Sequence, residues 1–303
     1  MNRVTRRHTN SQLVGVALGA VALTVGTGAL HVSADAAAGP EGSAADRTQP
    51  GPDFDWVTVV NNNDLMPPLG VRNFNSYNQP SVNTDGLVVM RARSRGGPPL
   101  GPATHGIYTR DMSVGGPIIS VLDRTTPVPF PNNLGTTFGE TPSFPRVDIG
   151  SGTIATRANH QPVWTYIPEG SDETRAGTTG IYTNPFGELI TGAAKLGAVP
   201  EFSFFGVPEF PGTPFEVFPG APSVAQGDTI VFKGNYTAPD GNARTGVYFR
   251  ELVGAPAGGA SPVVLIANSA NTLIPGTGTV FGSTAPPSAA GERVVFAGFD
   301  TEG

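Results

Sequence analysis

The chain is predicted to be all-β and β-propeller-like, with about four repeats of four short antiparallel strands, the last repeat incomplete. Three observations predict this. A proline-led turn followed by an apolar strand recurs over residues 80–90, 145–156, 222–232 and 287–296. A short aromatic strand recurs as Gly106-Ile107-Tyr108, Gly180-Ile181-Tyr182 and Gly246-Val247-Tyr248. The 41 Gly and 30 Pro among 303 residues fall at matching places between apolar runs, so they read as turns. Self-similarity at a long period decides architecture before any single residue does.

Taken in order, the N-terminus reads as a signal peptide over residues 1–34. Arg3, Arg6 and Arg7 form a positive start, residues 13–30 are apolar, and Val32-Ser33-Ala34 fits a small-x-small cleavage site. An uncleaved anchor is the alternative, but Gly, Ala and Thr dilute the apolar run. Residues 35–53 form a Gly/Pro/Ala/Ser-rich flexible linker. The repeat domain spans 54–303, beginning with an apolar stretch at 54–60 that resembles the closing strand of a unit.

Each unit then offers a hairpin around its turn, the aromatic strand, and a third apolar strand: 117–122, 188–191 or 262–266. A loop through Pro and Gly leads to a Phe (Phe138, Phe215, Phe281) and back to the next proline. The turn prolines lie 65, 77 and 65 residues apart. Four short antiparallel strands per repeat is the composition of a propeller blade. Such a sheet cannot cover its own faces, so neighbours must do so, with Val89, Ile154, Ile230 and Val294 as the natural filling. A β-sandwich arrangement is the alternative. The last unit supplies only its opening hairpin, which reads either as closure by an N-terminal strand or as a piece of a longer protein.

The segments Pro80-Ser81-Val82-Asn83-Thr84-Asp85-Gly86 and Gly106-Ile107-Tyr108 resemble the repeat of Tol-type and WD-like bacterial propellers, and more closely the tandem propeller-like repeats of uncharacterised exported bacterial proteins. The resemblance covers about residues 54–303. It implies a scaffold or binding surface and carries over no catalytic residue.

Composition narrows the function. With no Cys there is no disulfide, no thiol nucleophile and no Cys-ligated zinc. Without the leader the chain holds 15 basic and 24 acidic residues, a formal charge of −9, with Lys195 and Lys233 its only lysines. That argues against nucleic acid as a partner. No second apolar run is long enough to span a membrane, so the mature product is expected to be secreted or periplasmic.

No metal, cofactor or catalytic group is predicted. His105 and His160 fall at unmatched places, and no GxSxG, HExxH or P-loop spacing occurs. The carboxylates Asp85, Asp111, Asp123, Asp148, Asp172, Glu173 and Asp228 read mainly as turn formers, and residues 61–64 as a solvated loop. One pattern is different. Alignment of the opening strands puts Arg91, Arg157 and Lys233 at equivalent places. At similar radius in a propeller such cations would attract carboxylates or sulfated sugars; the competing expectation is that each pairs with a local acid. Trp164, in an insertion peculiar to the second unit, is a candidate ligand-stacking aromatic, or a cap on its own sheet; Trp56 and Tyr166 are the other visible aromatics. The reading is therefore an exported scaffold for non-catalytic binding of a protein or carbohydrate. The alternative is an extracellular glycoside hydrolase or lyase using acids on one face.

Overall fold

The computed structural model describes residues 14–17 (backbone alone), 55–254 and 258–300. Contacts divide the chain into a large unit, residues 1–20 with 59–303, and a small one, residues 21–58. Of the small unit, residues 55–58 are described and hold no regular structure. The expected leader, apart from 14–17, and the expected linker lie outside the described residues. No described helix is long and apolar enough to cross a membrane.

The large unit is all-β, with a single short 3-10 turn at Pro200–Phe205 among the described residues. After β1 (Val14–Ala17), a first sheet contains β2 (Phe74–Tyr77), β3 (Ser81–Val82), β4 (Leu87–Ser94), β5 (His105–Asp111) and β6 (Ile119–Asp123). Its order is β2-β4-β5-β6, with β3 following β2 along the same edge of β4. The second sheet repeats this with β7 (Phe138–Glu140), β8 (Arg146–Val147), β9 (Ile154–His160), β12 (Thr179–Thr183) and β13 (Ile190–Ala194). Between β9 and β12 an inserted hairpin pairs β10 (Trp164–Tyr166) with β11 (Thr174–Ala176). The third sheet is β14 (Ser223–Ala225), β15 (Thr229–Thr237), β16 (Ala243–Glu251) and β17 (Val264–Asn268), in that order. A last group pairs β18 (Ser283–Thr284) with β21 (Gly298–Phe299), and β19 (Ser288–Ala290) with β20 (Arg293–Phe296). On the side of β20 where the other sheets carry the Gly-x-Tyr strand, β1 runs parallel to it. All other pairings are antiparallel.

The first three sheets match in detail. Each has a β-bulge at the same point of its aromatic strand: between Ile107 and Tyr108, Ile181 and Tyr182, Val247 and Tyr248. Each bulged Tyr meets the Phe that ends the preceding loop, edge to face: Phe74–Tyr108 at 5.1 Å, Phe138–Tyr182 at 4.7 Å and Phe215–Tyr248 at 4.8 Å between ring centres. A bulge re-aims a side chain, and in the second and third sheets the tyrosine lies over its own strand's glycine two residues back, Tyr182 over Gly180 and Tyr248 over Gly246, whereas Gly106 of the first sheet meets Leu122 and Asp123 of β6.

Strand alternation gives every sheet two apolar faces, and they pack on the neighbouring sheets in chain order. Val89, Ile107 and Leu122 of the first sheet join Ile154, Ala158 and Tyr182 of the second in one core. The opposite face of the second sheet (Ala155, Ile181, Ala193) joins Ile230, Phe232 and Tyr248 of the third. The far face of the third (Val231, Val247, Ala267) joins Phe281, Val294 and Phe296. A fourth cluster (Met66, Phe74, Met90, Tyr108) covers the outer face of the first sheet. All four residues expected as filling between units lie in these clusters. The proline turns also meet in series. Thr84 N–H donates to Ile149 O (3.0 Å), Asn83 Nδ2 to Ser151 O (2.8 Å), Thr153 Oγ1 to Gly227 O (2.6 Å) and Ser223 Oγ to Pro287 O (3.2 Å).

One element differs from expectation. Residues 55–60 form no strand; Val59 and Val60 lie against the fourth cluster instead, where β2 already occupies the edge of β4.

Candidate functional site

The alignment of the three cations holds in the register. Arg91 lies opposite Ile107, Arg157 opposite Ile181 and Lys233 opposite Val247. By alternation Arg91 shares a face with Val89, Arg157 with Ala155 and Lys233 with Val231. Each is therefore on the face its sheet turns to the next, and each is half-buried there. Two residues further along stand Arg93, Asn159 and Asn235, with His105, Thr179 and Thr245 as their cross-strand partners. The same polar cell thus recurs three times along the stack.

Among the described residues the only ion pairs are Arg175–Glu173 and Arg244–Asp240, so none of the three cations is locked to a carboxylate. Arg157 Nη1 donates to Phe218 O (3.1 Å), a carbonyl of the third sheet's leading segment. Arg91 Nη1 donates to the amide oxygen of Asn78 (2.6 Å) once that amide is oriented to satisfy both its groups. The Nε atoms of Arg91 and Arg157 are buried without a partner. Burial holds both guanidinium groups below their usual range, partly opposed by Glu140; burial likewise lowers Lys233.

The first cell is the most basic. Arg91, Arg93 and Arg124 all act on His105, and Glu140 on β7 of the facing sheet is the one carboxylate that acts on it. Burial first, then Arg124 and Arg91, lowers the His105 pKa. His105 Nδ1 lies 3.4 Å from Thr141 Oγ1 across the gap, and Arg93 Nε donates to Ser76 Oγ (2.8 Å).

Trp164 lies on β10 of the inserted hairpin. Its ring stands edge-on to Phe202 at 4.8 Å and packs against the first core, half-buried, with Tyr166 beside it. Of the turn acids, Asp111 Oδ1 accepts from Ser113 and Asp123 Oδ1 from Thr125, as Asx turns require. In the 61–64 loop Asn61 Oδ1 and Asp64 Oδ2 accept from the loop's own amides.

Two further residues acquire partners that the sequence does not indicate. Glu209, just after the 3-10 turn, is half-buried. It accepts from Asn268 Nδ2 (2.9 Å), leaves Oε2 buried without a partner, and is raised in pKa by burial. His160 ends β9 and contacts Tyr182, 22 residues away: Nε2 lies 2.5 Å from the Tyr182 hydroxyl and Nδ1 2.8 Å from Gln161 O. A neutral ring satisfies both, with Nδ1–H donating to the carbonyl and Nε2 accepting from the hydroxyl.

Burial lowers the His160 pKa. An imidazole with a folded pKa below its unfolded value of about 6.5 gives stability that is complete above that value and lost as pH falls below it. His105 contributes with the same sign. Thermal unfolding is therefore expected to move to lower temperature between pH 7 and pH 5. In His160→Gln the slope should be shallower, with the remainder carried by His105 and opposed by Glu209, whose raised pKa acts with the opposite sign. An unchanged slope in the variant would contradict the assignment.

No family model matches the chain, and no curated protein matches it. Among solved structures, the α-L-arabinofuranosidase PaAbf62A from Podospora anserina, in complex with cellotriose, is similar over 79% of this chain and 89% of its own, at 10% identity and a TM-score of 0.21. That likeness is too slight to bear on fold or activity.

Proposed function

We propose that the chain is an exported β-propeller-like scaffold, its three matching sheets serving as blades, and that its role is non-catalytic binding of a carbohydrate or protein ligand. The observation that carries this reading is the thrice-repeated polar cell between consecutive sheets. In two of the cells a buried guanidinium Nε has no partner, and among the described residues none of the three cations forms an ion pair, Glu140 acting on Arg91 and Arg157 only from a distance. Guanidinium forks match the paired oxygens of acceptor groups such as carboxylates, which suits recognition. Export rests on the N-terminal arginines, apolar run and cleavage site.

A second reading, an extracellular glycoside hydrolase or lyase, is favoured by Glu209 alone. A carboxyl raised by burial has the profile of a general acid. The two separate in one experiment, a glycan array run beside a broad glycosidase and lyase screen on the full chain. The binding role predicts saturable capture with no turnover. Turnover that Glu209→Gln abolishes would establish the hydrolase reading instead.

A further inference from the structure

We infer that the first inter-sheet cell binds an oxyanion carried on a glycan, a carboxylate or a sulfate group. This rests on the binding role proposed above and names the ligand chemistry.

The three cells provide an internal control. At the position where the second and third cells hold the neutral pairs Asn159–Thr179 and Asn235–Thr245, the first holds Arg93–His105. The fold is the same in all three sheets, down to the bulge, so a neutral amide and hydroxyl satisfy its needs there. The added positive charge of the first cell serves something other than the fold. It is concentrated: Arg93 lies cross-strand from His105, and Arg91 and Arg124 act on that ring with it, Glu140 being the one carboxylate that does, in a chain of formal charge −6. Donors also remain at the cell's surface: the exposed Arg93 spends only Nε on Ser76, while Arg91 Nε is buried behind it without a partner. Arg124 Nη1 reaches Ala103 O at 3.3 Å from an exposed side chain. Guanidinium forks of this kind match the two oxygens of a carboxylate or sulfate.

The surroundings favour a glycan over an acidic peptide. Ser76 adjoins Arg93, Asn78 adjoins Arg91 and Thr141 adjoins His105, and their hydroxyl and amide groups match sugar hydroxyls. A peptide would gain most by adding a strand, but β4 is already paired on both edges, to β2 and β3 on one side and β5 on the other.

The test is calorimetric titration of the full chain with four probes: an oligogalacturonate, a heparin-derived sulfated oligosaccharide, a neutral oligosaccharide of the same length, and a poly-glutamate peptide. One of the two acidic sugars should bind, and which one does identifies the oxyanion. Binding should weaken at least about tenfold between 50 and 200 mM salt. The double variant Arg93→Asn/His105→Thr, which copies the other two cells, should lose at least about tenfold in affinity while its melting temperature stays within about 4 °C. The exposed Arg124→Gln gives a second reading should the double variant unfold, and should weaken binding severalfold. Acidic sugars binding no more tightly than the neutral one would overturn the inference while leaving a neutral-glycan scaffold standing. Equal affinity in both variants, or a tighter complex with poly-glutamate, would also overturn it.

Discussion

Replacing Arg250 by methionine is expected to destabilise the protein by about 3 kcal/mol, and replacing it by alanine by about 4–5 kcal/mol. Arg250, on β16, is fully buried at 0% exposure, and among the described residues it has no carboxylate partner. Its guanidinium is held by carbonyls alone: Nε donates to Ser261 O (2.7 Å), Nη1 to Gly192 O (2.8 Å) and more weakly to Thr191 O (3.4 Å), and Nη2 to Gly259 O (2.7 Å). The Phe204 and Phe205 rings lie 5.0 Å from its central carbon. Burial lowers its pKa to about 10, so it remains charged at neutral pH. Thr191 and Gly192 belong to β13 of the second sheet, so this one side chain bolts the second sheet to the third. Methionine would fill most of the volume yet leave those carbonyls buried and unpaired, at roughly 1 kcal/mol or more each; alanine would add a cavity. Lysine retains charge and donors but lacks the planar fork, and should fall between wild type and methionine. Urea unfolding midpoints measure all three. A methionine variant within about 0.5 kcal/mol of wild type would mean that the carbonyl cage holds little.

Gly246→Ala is the second large effect, expected to cost about 2–3 kcal/mol from one added methyl group. A Cβ built on Gly246 would stand 2.5 Å from the Tyr248 hydroxyl oxygen and 2.6 Å from its ring. The ring cannot retreat, because Phe215 lies edge-on to it and Phe232 stacks at 6.0 Å. Gly180 and Tyr182 repeat the arrangement, with the hydroxyl 2.9 Å from the built Cβ. In the second and third sheets Gly-x-Tyr is thus a packing device, the glycine being the floor on which the bulged tyrosine lies; in the first sheet Gly106 instead makes room for β6. A double-mutant cycle checks this, since the two residues are in contact. In a Tyr248→Leu background the alanine should cost less than half as much, and an undiminished cost would place the strain elsewhere.

The repeat was legible because turns and alternation are local. Proline turns, the Gly-x-Tyr strand and the third apolar strand all fall where their spacing places them, and strand register then fixes Arg91, Arg157 and Lys233 as equivalents. Partnership across sheets was not legible. Glu140 and His105 lie 35 residues apart in sequence, and nothing in either segment says that they share a gap. His160 reads as a lone histidine until Tyr182 is folded onto it. Arg250 is harder still, because a charged residue near a strand end ordinarily points to solvent, and its cage comes from backbone atoms that carry no residue code. Trp164 reads equally well as a ligand platform or a core cap, since an aromatic in an insertion gives no hint of what it covers; Phe202, its partner, arrives 38 residues later.

The central claim is that consecutive sheets lie face to face in chain order, with the polar cells between them. The chain contains no cysteine, so paired cysteines can report this without background. Val147 N–H donates to Ser81 Oγ (3.3 Å) between the first and second turns, and Ser223 Oγ to Pro287 O (3.2 Å) between the third and last. With a short thiol crosslinker on the folded chain, Ser81→Cys/Val147→Cys and Ser223→Cys/Pro287→Cys should each close in high yield, and the skipped pair Ser81→Cys/Ser223→Cys should not. Efficient closure of the skipped pair, with failure of the two consecutive ones, would contradict the serial stack and with it the equivalence of the three cells.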